Sequence, residues 1–210
     1  VGEMTVRIAL VGLGEVGRTL AEDLLARGGV ELSAWDLKFA DPQSPPSRAL
    51  AALAVRKGAD AADAVRGAEL VISAVTAAQT EAAAVAAAPG LDKDAVYLDL
   101  NSASPGLKRA AARAVEGQGA AYVEAAVMSP IGPKRIAAPM LLGGDEAEAL
   151  LPRLQALGFG GTRFYAPEVG RASAAKMSRS VIIKGMEAIL AESLLTARSY
   201  GVEADVIASL

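Results

Sequence analysis

The stretch Val6–Gly17, VRIALVGLGEVG, decides the reading of this chain. An apolar run enters Gly12-Leu13-Gly14-Glu15-Val16-Gly17, a G-x-G-x-x-G, after which Val16, Leu20, Leu24 and Leu25 follow a helical pattern. The pattern predicts a buried strand, a tight turn and a helix. Gly12 is expected to take the turn and Gly14 to let backbone approach a pyrophosphate, while Gly17 lets helix and strand pack closely. The helix start, with Leu13, Glu15 and Val16 around it, offers unpaired N–H groups to an anion.

Working outward, a helix over Glu15–Arg27 stops at Gly28-Gly29, and Val30–Asp36 (VELSAWD) predicts the next strand. Asp36 stands where a dinucleotide fold places an acid to accept hydrogen bonds from the adenosine ribose. A carboxylate there favours NAD over NADP, because it repels a 2′-phosphate; Lys38 nearby softens the preference. The competing reading is that Asp36 only caps a loop.

Beyond a proline-rich loop, Arg48–Arg56 predicts a helix and Gly58–Ala61 a short strand. Strands follow at Glu69–Val75, Ala95–Leu100 and Ala120–Val127, with helices at Thr80–Ala88 and from Ser104-Pro105 to Glu116. Ser104 is the expected N-cap, with Pro105 at the first helical position. Further strands are expected at Pro139–Gly144 and Thr162–Tyr165, flanking a helix capped by Asp145. The alternation predicts an α/β fold with a doubly wound, mostly parallel sheet, whose ligands bind beyond the carboxyl ends of the strands. Gly12, Asp36, Val75-Thr76 and Asn101-Ser102 all fall at such ends, so the pattern names a crevice.

Composition narrows the chemistry. The 210 residues contain no His and no Cys. That excludes imidazole–thiolate metal sites, Ser-His-Asp triads and cysteine nucleophiles, and no metal site is expected. No tyrosine has a lysine four residues on, so lysine becomes the leading proton carrier by elimination. The net charge of −3 gives no reason to expect nucleic acid. No stretch approaches the roughly 20 apolar residues that span a bilayer. With no cysteine and no signal-type segment before Val6, the expectation is a cytoplasmic protein without membrane partners.

From Glu168 to about Tyr200 the pattern is helical throughout, and Val202–Leu210 begins another helix. The expected division is a dinucleotide-binding domain over 1–166, then a long interdomain helix and an incomplete helical domain over 167–210. On the long helix Ser173, Lys176, Ser180, Lys184 and Glu187 share one face. Such a stripe is most often a wet face, but this one carries hydroxyls and amines with a single carboxylate and follows a dinucleotide-type domain. Lys176 is the residue placed to face a substrate.

With these residues in place the chain resembles the β-hydroxyacid dehydrogenases, which include 3-hydroxyisobutyrate and 6-phosphogluconate dehydrogenases. The glycine motif matches Gly12–Gly17, and the family's Asp-x-Ser-Thr-x-x-Pro is similar to Asp99-Leu100-Asn101-Ser102-Ala103-Ser104-Pro105. Its Asp-Ala-Pro-Val-Ser-Gly-Gly is loosely similar to Glu124–Gly132, and its Met-x-Gly-Gly to Met140–Gly144. The family's Gly-x-x-x-x-x-Lys-x-x-x-Asn falls on Gly170, Lys176 and Ser180, with serine in place of asparagine. The run Lys176–Gly185 looks closer to a less characterised subgroup.

The resemblance implies a Rossmann-type domain that binds NAD or NADP and transfers hydride to or from a small or sugar-derived β-hydroxy acid. It implies Lys176 as general acid–base, assisted by Ser180. Ser129 with the amides of Ile131 and Gly132 would hold the substrate carboxylate, with Ser102 and Lys184 nearby. Val75, Thr76 and Asn101 would line the cofactor. The family's helical second domain usually makes a homodimer, expected here in the full-length form. The alternatives are an imine or carbonyl reductase on the same scaffold and a non-catalytic dinucleotide-binding module.

Overall fold

The computed structural model describes residues 5–210. Its strands are β1 (Val6–Val11), β2 (Val30–Trp35), β3 (Val55–Lys57), β4 (Leu70–Ser73), β5 (Val96–Asp99), β6 (Ala121–Val127), β7 (Met140–Gly143) and β8 (Thr162–Ala166). They form one sheet in the order β3-β2-β1-β4-β5-β6-β7-β8. β1 to β6 are mutually parallel, β7 runs antiparallel to β6, and β8 is parallel to β7. The strand order reverses between β1 and β4, so a crevice opens above their carboxyl ends.

The helices are α1 (Glu15–Arg27), α2 (Pro45–Ala52), α3 (Ala61–Val65), α4 (Thr80–Ala87), α5 (Pro105–Glu116), α6 (Ile131–Lys134) and α7 (Ala147–Ala156), followed by α8 (Arg171–Ser199) and α9 (Glu203–Ser209). Alternation along β1 explains why they sit on both faces. Ile8 and Leu10 pack with Leu20 and Leu24 of α1, Ala49 of α2 and Leu150 and Leu154 of α7. Ala9 and Val11 pack on the other face with Val65 of α3, Ala84 of α4 and Val115 of α5. A parallel sheet covered on both faces needs apolar residues at nearly every strand position, hence the unbroken runs in β1 and β4.

Three sequence expectations are corrected. The helix expected over Arg48–Arg56 begins at Pro45, with Ser44 as its cap accepting the Ser47 N–H at 3.2 Å. Prolines suit a first turn, whose N–H groups need no helical partner. The edge strand accordingly falls at Val55–Lys57 rather than Gly58–Ala61. Gly58 instead packs under α3, where a Cβ would stand 2.6 Å from that of Ala64. Asp145 does not cap α7: Glu146 holds that position without a side-chain bond, and the Ala147 N–H donates to the Gly144 carbonyl at 3.0 Å. The turn is closed by backbone because Gly144 takes φ +128°.

The chain divides into two compact units, the first reaching Ala174 and the second comprising Ala175–Leu210. The first turn of α8 therefore belongs to the first unit, later than the expected boundary at residue 166. The second unit holds the remainder of α8 and, after a turn at Gly201 (φ +72°), α9. Among the described residues no helix is long and apolar enough to cross a membrane.

Candidate functional site: the crevice above β1 and β4

The three glycines of the opening motif differ in what surrounds them. A Cβ on Gly12, whose φ is +97°, would lie 2.4 Å from the Ala74 carbonyl oxygen. One on Gly17 would lie 2.1 Å from the Gly12 carbonyl oxygen. Both glycines are demanded by the fold's own backbone. A Cβ on Gly14 would meet nothing within 4 Å. That space adjoins the N-terminus of α1, where Gly14 occupies the cap position with no side-chain bond, leaving first-turn N–H groups for an anion.

The space belongs to a cavity of about 690 Å³ at the carboxyl ends of β1, β2 and β4. Gly12, Gly14, Glu15, Val16, Asp36, Val75 and Thr76 line it, so most of the expected cofactor residues meet in one place. Leu13 and Gly17 are buried beside it. Sequence reasoning missed Trp35, Gln79 and the alanines of α4 that complete the wall. The small residues at Ala82, Ala83 and Ala86 were legible as helix, but that they line this cavity follows only from the sheet order.

Asp36 caps a loop and also lines the cavity. Its carboxylate accepts the N–H of Leu13 at 2.8 Å and that of Lys38 at 2.9 Å. The second bond caps the short turn Leu37–Ala40; the first ties the glycine loop to the end of β2. The Leu13 N–H is thereby spent within the protein. A carboxylate has lone pairs for further donors, and Asp36 still lines the cavity.

At the ends of β4 and β5 the side chain of Asn101 bridges two strands. Its Oδ1 accepts the Val75 N–H at 2.7 Å, and its Nδ2 donates to the Ser73 hydroxyl at 3.0 Å. Behind it lies a buried group that sequence reasoning did not single out. The Asp99 carboxylate accepts from Lys108 Nζ at 2.8 Å, the Asn101 N–H at 2.8 Å and the Tyr122 hydroxyl at 2.5 Å. Lys108 and Asp99 have no exposed side-chain surface. Burial raises the Tyr122 hydroxyl above its ordinary pKa, and the Asp99 charge adds to the shift. Tyr97 stacks on Tyr122 with ring centroids 6.0 Å apart, and burial likewise raises its hydroxyl pKa.

Of the expected substrate residues, Ser102 is exposed just beyond Asn101. Ser129, Ile131 and Gly132 lie in the loop joining β6 to β7, where α6 begins without a side-chain cap. The Ile131 side chain is buried in the core, which leaves its backbone as the part able to meet a ligand. Arg135 fastens this loop to α1, donating to Asp23 at 2.7 Å and Glu22 at 2.9 Å, while the Ile136 N–H donates to Asp23 at 3.0 Å. The Arg135 hydrogen bond, then that of Arg18, holds the Glu22 carboxyl below the usual range. A lowered folded pKa means the Arg135–Glu22 arm of the tether is intact above the ordinary carboxylate range and is lost as pH falls through the lowered value. Arg135→Ala is expected to lower the protection of the amides over residues 129–137 several-fold at neutral pH, read by hydrogen exchange relative to the intrinsic rates, and acid should lower the protection of the same segment in the unaltered chain.

Glu124, at the centre of β6, fixes where α8 starts. Its buried Oε1 accepts the N–H of Gly170 at 2.7 Å and of Ala172 at 3.0 Å. A carboxylate at a helix N-terminus also meets the positive end of the helix dipole. Lys176, Ser180 and Lys184 follow on α8 in the second unit, one face of the helix by its periodicity.

Residues 7–159 match the family model of the NAD binding domain of 6-phosphogluconate dehydrogenase. The mitochondrial 3-hydroxyisobutyrate dehydrogenase of Drosophila melanogaster is 25% identical over 212 residues, covering 97% of this chain and 62% of that protein. The chain thus spans less than two thirds of this curated relative. A solved conserved hypothetical protein from Sinorhizobium meliloti 1021 is 39% identical with a TM-score of 0.83, covering 98% of this chain and 69% of that one. A second solved protein, of unknown function and described as structurally similar to 3-hydroxyacid dehydrogenases, is 32% identical with a TM-score of 0.79, over 96% of this chain and 73% of that one. The chain belongs to the family of the NAD binding domain of 6-phosphogluconate dehydrogenase and is β-hydroxyacid dehydrogenase-like.

Proposed function

We propose that this chain is the nucleotide-binding and proton-transferring part of an NAD(P)-dependent oxidoreductase acting on a small or sugar-derived β-hydroxy acid. The observation that carries the reading is the cavity at the strand-order reversal, open at Gly14, bounded by the start of α1 and edged by the Asp36 carboxylate. These residues fit a dinucleotide: the α1 N-terminus receives the pyrophosphate and Asp36 the adenosine ribose. Bound nicotinamide supplies the hydride acceptor or donor. Ser129 and the amides of Ile131 and Gly132 hold the substrate carboxylate, with Ser102 and Lys184 as further polar contacts. Lys176 takes the hydroxyl proton at Nζ during oxidation and returns it during reduction, and Ser180, one turn on, orients it. We further propose a cytoplasmic protein that is a homodimer in its full-length form.

Asp36 makes NAD the preferred cofactor in this reading. Asp36→Ala is expected to weaken NADH binding about tenfold, the worth of one charge-assisted hydrogen bond. NADPH should lose less, because the same change relieves repulsion of its 2′-phosphate. Calorimetric titration of both nucleotides checks this; equal losses would remove Asp36 from the ribose. The reading as a whole is tested by the absorbance of reduced nicotinamide with a panel of β-hydroxy acids, on this chain and on one extended to the length of its relatives. Absence of binding by either nucleotide would overturn it.

A further inference from the structure

We propose that Lys108 and Asp99 are positioning residues for the nicotinamide half of the crevice, acting through Asn101 on Val75. The proposal rests on the dinucleotide reading of the cavity and adds to it a device that sets the shape of one end.

The backbone ladder between β4 and β5 has its last paired residues at Ser73 and Asp99, with one further bond from the Leu100 N–H to the Ser73 carbonyl at 3.0 Å. Beyond it the two chains separate, one toward Val75-Thr76 and the other toward Ser102. The Asn101 side chain supplies the missing rung by binding Val75 and Ser73 across the gap. It can do so only while its own backbone is held, and the holder is the Asp99 carboxylate, which accepts the Asn101 N–H. That carboxylate is in turn fixed from behind by Lys108 and Tyr122, and Lys108 also donates to the Asp99 carbonyl at 2.9 Å. One line of hydrogen bonds therefore runs from the buried face of α5 to a residue that lines the cavity.

A buried ion pair is a poor means of stabilising a fold, since well-packed apolar side chains serve as well or better. Here the bonds of the pair converge on Asp99, the last residue of β5, and pass from it to the Asn101 N–H. Asp36 marks the adenosine side of the crevice at the end of β2, and the α1 N-terminus marks the pyrophosphate. The end of β5 lies on the far side of the β1–β4 reversal, which leaves it the nicotinamide half. Damage to the line should therefore be felt by a whole dinucleotide and much less by a ligand that stops at the second ribose.

The test compares NADH with ADP-ribose on the full chain, read through quenching of Trp35, the single tryptophan, which lines the cavity. Lys108→Met is expected to weaken NADH at least about tenfold, corresponding to the loss of one fixed contact, with little change for ADP-ribose. Asn101→Ala, which leaves the buried pair intact and serves if Lys108→Met does not fold, should reproduce the same selective loss. Adding Lys108→Met to Asn101→Ala should weaken NADH no further, because both act on one line. Equal losses for both ligands, additive losses in the double variant, or unchanged NADH affinity would overturn the proposal and leave the pair a purely structural one. Failure of the unaltered chain to bind either ligand would instead overturn the dinucleotide reading on which it rests.

Discussion

Replacing Lys176 with methionine is expected to lower turnover by about 10²–10⁴-fold, the range for losing a general acid–base, while NADH affinity stays unchanged. Methionine keeps the unbranched length of the side chain and removes its proton and charge. The chain contains no histidine or cysteine to take over. The other polar residues proposed on the same helix face, Ser180 and Lys184, differ from Lys176 in a way the experiment resolves. Ser180 holds its proton too tightly to be a base at neutral pH, and Lys184 stands two turns along α8. Initial rates of nicotinamide reduction or oxidation, with calorimetric NADH titration beside them, measure both quantities. A fall in turnover with binding intact supports Lys176 at the chemical step. Unaltered turnover would return the stripe to being a solvated face.

The second large effect separates the three glycines that the motif treats alike. Gly17→Ala places a methyl 2.1 Å from the Gly12 carbonyl oxygen, and Gly12→Ala places one 2.4 Å from that of Ala74 in a backbone conformation that side chains rarely adopt. Neither obstacle is a side chain that can turn aside. Each substitution should cost about 3 kcal/mol or more of stability, at the upper end of overpacking, and lose nucleotide binding with it. Gly14→Ala meets no atom of the protein, so its denaturation midpoint should barely move. Its nucleotide affinity should nonetheless fall, because the open space is where the pyrophosphate backbone approaches. Denaturant unfolding and nucleotide titration on the three variants separate the two kinds of glycine. A destabilised Gly14→Ala would contradict the geometry.

These contrasts show where the sequence was legible. Strand–turn–helix at Val6–Arg27 carries its reading in periodicity and glycine spacing, both local properties, and the long runs of β4, β5 and β6 are apolar because two helical layers cover them. The edge strand β3 has three residues, two of them the exposed Arg56 and Lys57, and so offers no alternation to detect. The pairing of Asp36 with Leu13 depends on two strand ends meeting in space, and spacing alone left both of its readings open. Lys108 was the most visible omission. It shares a helix face with Ala111, Ala112 and Val115, all buried, and a cation on an otherwise apolar face is the signal that marks a buried partner. Glu124, charged in the middle of an apolar strand, carries the same signal.

The antiparallel joint between β6 and β7 bears on the order in which the molecule assembles. Every other neighbouring pair of strands is joined through a longer stretch of chain, so its closure must confine a longer loop before any contact rewards it. The β6–β7 pair begins at Val127 and Met140 and encloses only residues 128–139, which carry the short α6 together with Ser129, Ile131 and Gly132. It surrenders the least chain entropy, and is expected to form ahead of the parallel ladder. The residues proposed to hold the substrate would then acquire their shape during folding before the nucleotide crevice exists.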